Sequence, residues 1–392
     1  MLTPESLPVI QTALTDAALD GWLLYDFRGS NPIARDMVRL EGMATRRIFV
    51  FIPRDGLPTA ITHDIEQGLW RHWPSSWCRV RYSAWRMLDE RLRALVRGKR
   101  VAMEYSAGDA VPYIDRVPAG VIEMVRAAGA TVVTSGELVT RFYAVWTAAD
   151  LASHRRAAEQ VAAIARGSFA YARERLSGGG SVAEHEPQAW ILDRFDRAGL
   201  ETQDAPIVGV GANAADGHYG PSADRPVLVE RGKVLLVDLW AREPGGVFAD
   251  QTWMGVAGPP SDRVATVWSA VRDARKAAVQ TLRNAIASRT PLRGADVDDA
   301  ARAVITQRGF EHAFLHRTGH SIDVRSLHGS GPNMDNFETH EERMLAPGVG
   351  FSIEPGIYIE GELGVRSEVN AWCGAAEVVV TPRESQEELE VV

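Results

Sequence analysis

Five side chains stand where the residues around them leave no ordinary place for their kind. Asp238 closes the apolar run Val-Leu-Leu-Val-Asp-Leu-Trp, and Asp250 sits in Val-Phe-Ala-Asp-Gln-Thr-Trp twelve residues later. Glu354 follows Phe351 and Ile353 and precedes a Pro-Gly turn, while Glu368 lies between Val365 and Val369. His320 completes a Gly-His pair. Aspartate is depleted in strands and rarely buried without a partner. An unpaired carboxylate in a packed strand costs several kcal/mol, so a cation is the usual remedy. The turn at Gly245 and Gly246 predicts a hairpin that brings Asp238 and Asp250 to one sheet face, where like charges repel unless a cation separates them.

Together these residues supply four carboxylates and one imidazole, which match two divalent cations in charge. Bridging carboxylates hold such a pair ~3.5–4 Å apart, and the pair generates hydroxide at neutral pH while clamping a carbonyl or phosphoryl oxygen. Oxygen-dominated ligation favours Mn2+, with Co2+ or Zn2+ compatible, over a thiolate zinc site. Such chemistry needs no Ser or Cys nucleophile, and no nucleophile elbow is visible. Gly319, just before His320, is expected to let backbone and ion approach closely.

The elements that must carry these residues fall into two halves. At 392 residues the chain is too long for one ordinary core. In the first half, helical spacing at 4–19, 87–97 and 114–128 alternates with strand-like runs at 21–27, 46–53, 101–105 and 131–134, which predicts a small layered α/β domain. The polar, basic stretch between its first two strands reads as a connection that could also present Arg35, Asp36 or Arg46 to a site. A long helix from Ala148, rich in strong helix formers, opens the second half. Ser181 and Glu184 form a candidate capping box for the helix after it. The expected domains are therefore 1–147 and 148–392.

The GxGxxA pattern at Gly209, Gly211 and Ala214 runs into Asp-Gly-His-Tyr-Gly-Pro rather than a helix, which excludes a dinucleotide fingerprint. His218 becomes a loop histidine at a strand end. A net charge of -8 disfavours a nucleic-acid partner. Cys78 and Cys373 lie far apart without histidines at ligand spacing, which fits a reducing cytoplasm. No stretch reads as a membrane span or a secretory signal.

The order Asp, Asp, Gly-His, Glu-Pro-Gly, Arg-x-Glu resembles the pita-bread metallopeptidases, in the Xaa-Pro dipeptidase (prolidase) and aminopeptidase P branch, over about residues 150–392 and more loosely before it. The resemblance implies an α/β protein with a small N-terminal domain and a C-terminal catalytic domain whose curved antiparallel sheet is covered by helices. It makes Asp238, Asp250, His320, Glu354 and Glu368 the ligands of a dinuclear site. Asp250 and Glu368 would bridge, and Glu354 would also take the proton of the attacking water. His218 and His328 match the two non-ligand histidines that contact the scissile carbonyl and the tetrahedral intermediate. The implied reaction is cleavage of the Xaa-Pro bond of a small peptide by a homodimeric enzyme. Release of the N-terminal residue from longer peptides is the alternative, and a non-catalytic binding module of the same fold is a third reading.

Five departures from the family pattern stand out, one being that His328 comes eight residues after His320 where seven is common. Asp238 and Asp250 are twelve residues apart where eleven is common, and GHSID replaces the usual Gly-His-Gly-Ile-Gly. Trp240 stands where glycine is frequent and is expected to narrow the pocket. His340 falls where prolidases often place an arginine for the substrate carboxylate, so Arg366, Arg343 and Arg46 become the alternative cations.

Overall fold

The computed structural model describes residues 1–392, which divide into two compact units, Met1–Tyr143 and Ala144–Val392. The division falls slightly before the expected 147/148. Val145 bridges to Val349 and the Trp146 indole donates to the Ile322 carbonyl at 2.7 Å, so both belong to the second unit.

The first unit is a six-stranded sheet with helices. Strands β1 (Gly21–Asp26), β2 (Ile48–Pro53), β3 (Thr59–His63), β4 (Cys78–Tyr82), β5 (Arg100–Met103) and β6 (Thr131–Thr134) run in the spatial order β4-β3-β2-β1-β5-β6. Central β1 is buried at every residue, which is why it reads as a continuous apolar run. Helices α1 (Leu7–Asp16), α2 (Pro32–Val38), α3 (Trp85–Val96), α4 (Ala119–Ala127) and α5 (Gly136–Phe142) complete the unit. The stretch expected as a connection contains α2, capped by the Asn31 side chain and opened by Pro32. The helix expected from 114 begins only after Pro118, with a separate 3-10 turn at Pro112–Ile114, because proline cannot continue a helical ladder. Arg35 pairs with Asp26 at 3.5 Å, Asp36 accepts from Tyr143, and Arg46 donates to the Thr45 hydroxyl, so all three side chains are engaged within this unit.

The second unit places one acidic sheet face over a cavity. Helix α6 (Ala148–Ser177) opens on a capping box made by Thr147 and Asp150. Helix α7 (His185–Ala198) ends at left-handed Gly199. The capping box expected of Ser181 and Glu184 does not form, because the Glu184 carboxylate turns inward to Val210, Asn213 and Tyr219. Strands β7 (Ile207–Val210), β8 (Val234–Ala241) and β9 (Ala249–Val256) then form an antiparallel set. Alternation splits their side chains between two faces. Leu235, Val237 and Leu239 pack against the alanine-rich stripe of α6. On the other face Val234, Leu236 and Met254 pack into the core that includes α8 (Asp262–Ser288) and α9 (Gly294–Gln307), and the same face then turns polar at Asp238, Asp250 and Thr252.

Beyond these come β10 (Ser321–Ile322), β11 (Gly350–Ile353), the hairpin β12 (Gly356–Ile359) and β13 (Leu363–Arg366), β14 (Val369–Cys373), β15 (Val378–Thr381) and β16 (Glu390–Val391). The curved sheet expected runs through three hydrogen-bonded sets, in the orders β10-β11-β14-β15, β12-β13 and β16-β9-β8-β7. Side-chain amides close the seam along β9. Asn370 accepts from the Asp250 N–H at 2.9 Å and donates to the Asp250 carbonyl at 2.8 Å. Gln386 does the same for Met254 at 2.9 and 2.7 Å. Gly319 is required for a reason other than the one expected: a Cβ there would strike the Ser352 carbonyl of β11, so the close approach is strand to strand.

Buried His154 on α6 lies 2.7 Å from the Phe248 carbonyl through Nδ1 and 2.8 Å from the Thr381 hydroxyl through Nε2. Burial pushes it down from its usual 6.5 to about 4. The unfolded chain therefore takes up a proton that the folded one refuses. Stability from this residue is full above pH 6.5 and is lost as pH falls toward 4, by roughly 2 kcal/mol at pH 5. Urea unfolding of the metal-free protein at pH 7 and pH 5 should show a smaller stability difference in His154→Gln than in the parent. Equal differences would assign the acid sensitivity elsewhere.

Candidate metal centre

The β8–β9 register sets the floor of the site. Asp238 lies opposite Thr252 and Trp240 opposite Asp250, so the two aspartates occupy diagonal positions on one face. Glu368 enters from the start of β14, its N–H donating to the Thr252 carbonyl at 3.3 Å. Glu354, at the end of β11, donates its N–H to the Thr318 carbonyl at 2.7 Å. The Ser352 hydroxyl accepts from the His320 N–H at 2.9 Å and donates to Glu354 Oε1 at 2.9 Å. Main-chain bonds thus fix where each ligand candidate starts.

The charges are then arranged around Thr252 and Arg366. The Thr252 hydroxyl lies 3.1 Å from Asp238 Oδ1 and 2.8 Å from Glu368 Oε2, and accepts from Arg366 Nε at 2.7 Å. The Arg366 guanidinium also contacts Asp238 and lies 3.7 Å from Glu354 Oε2. One buried guanidinium serving four buried carboxylates leaves a deficit of positive charge. Burial pushes Asp250 up to about 8 and Asp238 up to about 6, and lifts Glu368 well above the usual carboxylate range, with Glu354 beside Asp250 and Asp250 beside Glu368 adding to the effect.

Two observations show that these residues fit a divalent ion. His320 Nδ1 lies 3.1 Å from the Ser321 carbonyl, which can only accept, so Nδ1 carries the proton. The bare Nε2 lone pair then points at Asp250 Oδ2, 3.2 Å away, and Glu354 Oε1, 3.5 Å away. Hydrogen bonding at the far nitrogen is how metal-binding imidazoles are oriented toward an ion. Second, Glu368 Oε1 is fully buried with no hydrogen-bond partner. The ligand atoms of Asp250, His320 and Glu368 lie within 4.8 Å of one another. Four carboxylates to one imidazole is an oxygen-rich donor set suited to hard divalent ions.

A cavity of about 830 Å3 opens over these groups. Asp238, Asp250, His320, Glu354, Glu368, Arg366, His218 and His328 all line it. The His328 ring stands edge-on to His320 with centroids 4.2 Å apart. His218 is carried on the loop after the 3-10 turn Gly211–Ala215, and Glu184 anchors that loop. Its buried carboxylate accepts from the Tyr219 hydroxyl at 2.6 Å, the Val210 N–H at 2.5 Å and the Asn213 amide at 3.1 Å. A Cβ on Gly364 would strike the Ala214 carbonyl, so β13 presses directly on the same turn.

Two expected substrate contacts lie elsewhere. His340 is exposed, bonded to Asn336 at 2.7 Å and near Glu342 at 3.2 Å, and does not line the cavity. Arg343 is buried but committed to Glu341 at 2.8 Å and to the Ser330 and Gly331 carbonyls at 2.7 Å each. Several lining residues were given no role from the sequence, among them His316, Arg317 and Tyr358. His316 Nε2 lies 2.8 Å from the Tyr358 hydroxyl, and Arg317 pairs with Glu338 at 2.9 Å. The His-x-x-x-His spacing of His316 and His320 was the available signal for the first of these. Nothing local marks Arg317 or Tyr358.

A helix-backed acidic sheet facing a Gly-His turn, with a cavity between, is the arrangement of a pita-bread metallopeptidase. The chain belongs to metallopeptidase family M24, whose profile matches residues 152–375. It is 30% identical over 223 residues to an Xaa-Pro dipeptidase of Lactobacillus delbrueckii subsp. lactis, covering 57% of this chain and 55% of that protein. It is 35% identical over 162 residues to a probable dipeptidase PepE of Mycobacterium tuberculosis (strain H37Rv), covering 41% of this chain and 40% of that one. The matched stretch thus spans about half the length of the curated relatives or less. Among solved structures, the dipeptidase PepE of Mycobacterium ulcerans superposes with a TM-score of 0.74 at 24% identity, covering 99% of this chain and 97% of that one. These structural likenesses establish the fold.

Titration calorimetry of the metal-free protein with Mn2+ tests the donor set. Asp250→Ala and Glu368→Ala should each weaken binding by at least ~100-fold, whereas His340→Ala should leave it unchanged. Parent-like affinity in both carboxylate variants would exclude this centre.

Proposed function

We propose that this protein is a metal-dependent Xaa-Pro dipeptidase. The observation that carries the reading is the convergence of the bare His320 Nε2, the orphaned Glu368 Oε1 and three further carboxylates on one cavity. Family membership and relatives named Xaa-Pro dipeptidase support it. In this reading Asp238, Asp250, His320, Glu354 and Glu368 would hold two divalent ions. Such ions, when bound, supply Lewis acidity that lowers the pKa of water and polarises a carbonyl.

The chain's own groups do the rest. Glu354, held by the Ser352 hydroxyl and by its main-chain bond to Thr318, accepts the proton of the attacking water at its carboxylate. His218 and His328 stand on the cavity wall as donors to the developing oxyanion, and such donors contribute roughly 3–4 kcal/mol. Arg317, braced by Glu338, takes the substrate carboxylate in place of His340 and Arg343. The oxygen-rich donor set favours Mn2+. The free cysteines Cys78 and Cys373 support a cytoplasmic location, and the family resemblance supports a homodimer.

A second reading rests on the cavity itself. At about 830 Å3 it lies in the ordinary range for a ligand site, which leaves room for an aminopeptidase P action on longer peptides. Chelation followed by Mn2+ reloading, with Gly-Pro assayed beside Gly-Pro-Gly, separates the two. Dipeptide cleavage restored by metal establishes the first reading, and tripeptide cleavage of equal or greater efficiency establishes the second. No metal-dependent cleavage of either would end both. His218→Ala should lower kcat ~100-fold with metal affinity retained, and metal loss in that variant would remove His218 from the oxyanion role.

A further inference from the structure

Trp240 occupies the one position on the acidic sheet face where a bulky ring meets a ligand candidate directly. It lies opposite Asp250 across the β8–β9 pair, so the two side chains are nearest neighbours on the face that floors the cavity. Ile207 is set opposite Asp238 across β7–β8, one diagonal step from Trp240. Leu327, immediately before His328, packs with both into one apolar cluster that also holds fully buried Phe248. The indole is only 9% exposed and its N–H has no partner, so packing alone holds the ring in place. It is a fixed wall, part of the sheet, and cannot swing aside as a loop residue would.

The charges lining the cavity assign a direction to a bound Xaa-Pro peptide. Its free ammonium lies on the residue before proline, and its carboxylate on the far side. Asp204, at the entry to β7, lines the cavity on the same side as Ile207, whereas Arg317 lines it next to His316, which is tied to the β12 hairpin through Tyr358. The residue before proline therefore lies over β7 and β8, with its side chain directed at Ile207, Trp240 and Leu327.

We infer that Trp240, backed by Ile207 and Leu327, closes the subsite for the residue preceding proline and restricts the enzyme to small residues there, glycine and alanine above leucine and phenylalanine. This rests on the Xaa-Pro reading of the site. Apolar pockets discriminate by roughly 10–200-fold per methylene that fits or fails to fit, so a fixed indole is a sufficient barrier.

The test compares kcat/KM for Gly-Pro, Ala-Pro, Leu-Pro and Phe-Pro in the Mn2+-loaded parent, Trp240→Ala and Trp240→Phe. Calorimetric binding of the same dipeptides to the metal-free proteins runs alongside. Removal of the indole should raise the Leu-Pro to Gly-Pro ratio at least ~10-fold, with the Trp240→Phe variant between. Leu327→Ala, at the partly exposed edge of the same wall, should move the ratio in the same direction and covers the case in which Trp240→Ala does not fold. A shifted affinity ratio without turnover in any protein would keep the wall and remove the hydrolysis reading. Ratios within twofold of the parent in the folded variants, or no binding of any dipeptide to any protein, would overturn the inference.

Discussion

The repulsion among four carboxylates buried under one cavity is the constraint to which the rest of the second unit answers. Asp238, Asp250, Glu354 and Glu368 are nearly inaccessible, and Arg366 is the one guanidinium set among them. Burial raises the cost of every charge that lacks a partner. The Thr252 hydroxyl, placed between Asp238, Glu368 and Arg366, spreads that charge, and the Ser321 carbonyl fixes the imidazole beside it. The polypeptide holds an arrangement that is unfavourable in itself and becomes favourable with divalent cations.

Holding it requires a frame that does not depend on the charged groups. The eight-residue strands β8 and β9 pair along their full length, and their rear face is sealed by α6. Strand β11 is fixed to β10 and β14 on either side of Ser352, the residue that orients both His320 and Glu354. Small-residue contacts at Gly319 and Gly364 let the neighbouring backbones close on the site without intervening side chains.

Much of this was legible in the chain because the anomalies were local. A carboxylate in an apolar run betrays itself wherever the run is long enough to be a strand, as at Asp238 and Glu354. The hairpin at Gly245 and Gly246 was readable from turn chemistry, and its register followed from alternation. What was not readable came from contacts distant in sequence. Glu184 has the spacing of a capping residue, yet it is claimed by Val210, Asn213 and Tyr219 of the loop that carries His218. His340 and Arg343 sit close to Glu354 in sequence, but Asn336 and Glu342 engage the first and Glu341 the second. Arg317 and Tyr358 reach the cavity through the packing of separate elements. No pattern along the chain encodes that.

The seam along β9 differs in kind from the sheets it joins. Elsewhere the strands are held by peptide groups, which every residue but proline supplies alike. At Asp250 and Met254 that service is performed by the amides of Asn370 and Gln386. A peptide pairing survives almost any substitution, whereas an amide surrogate is lost with a single codon. Deamidation of Asn370, which needs no mutation at all, would replace its donor with an acceptor facing the Asp250 carbonyl. The join that brings Glu368 to Asp250 is therefore the part of the sheet whose integrity can be inherited, varied and aged one side chain at a time.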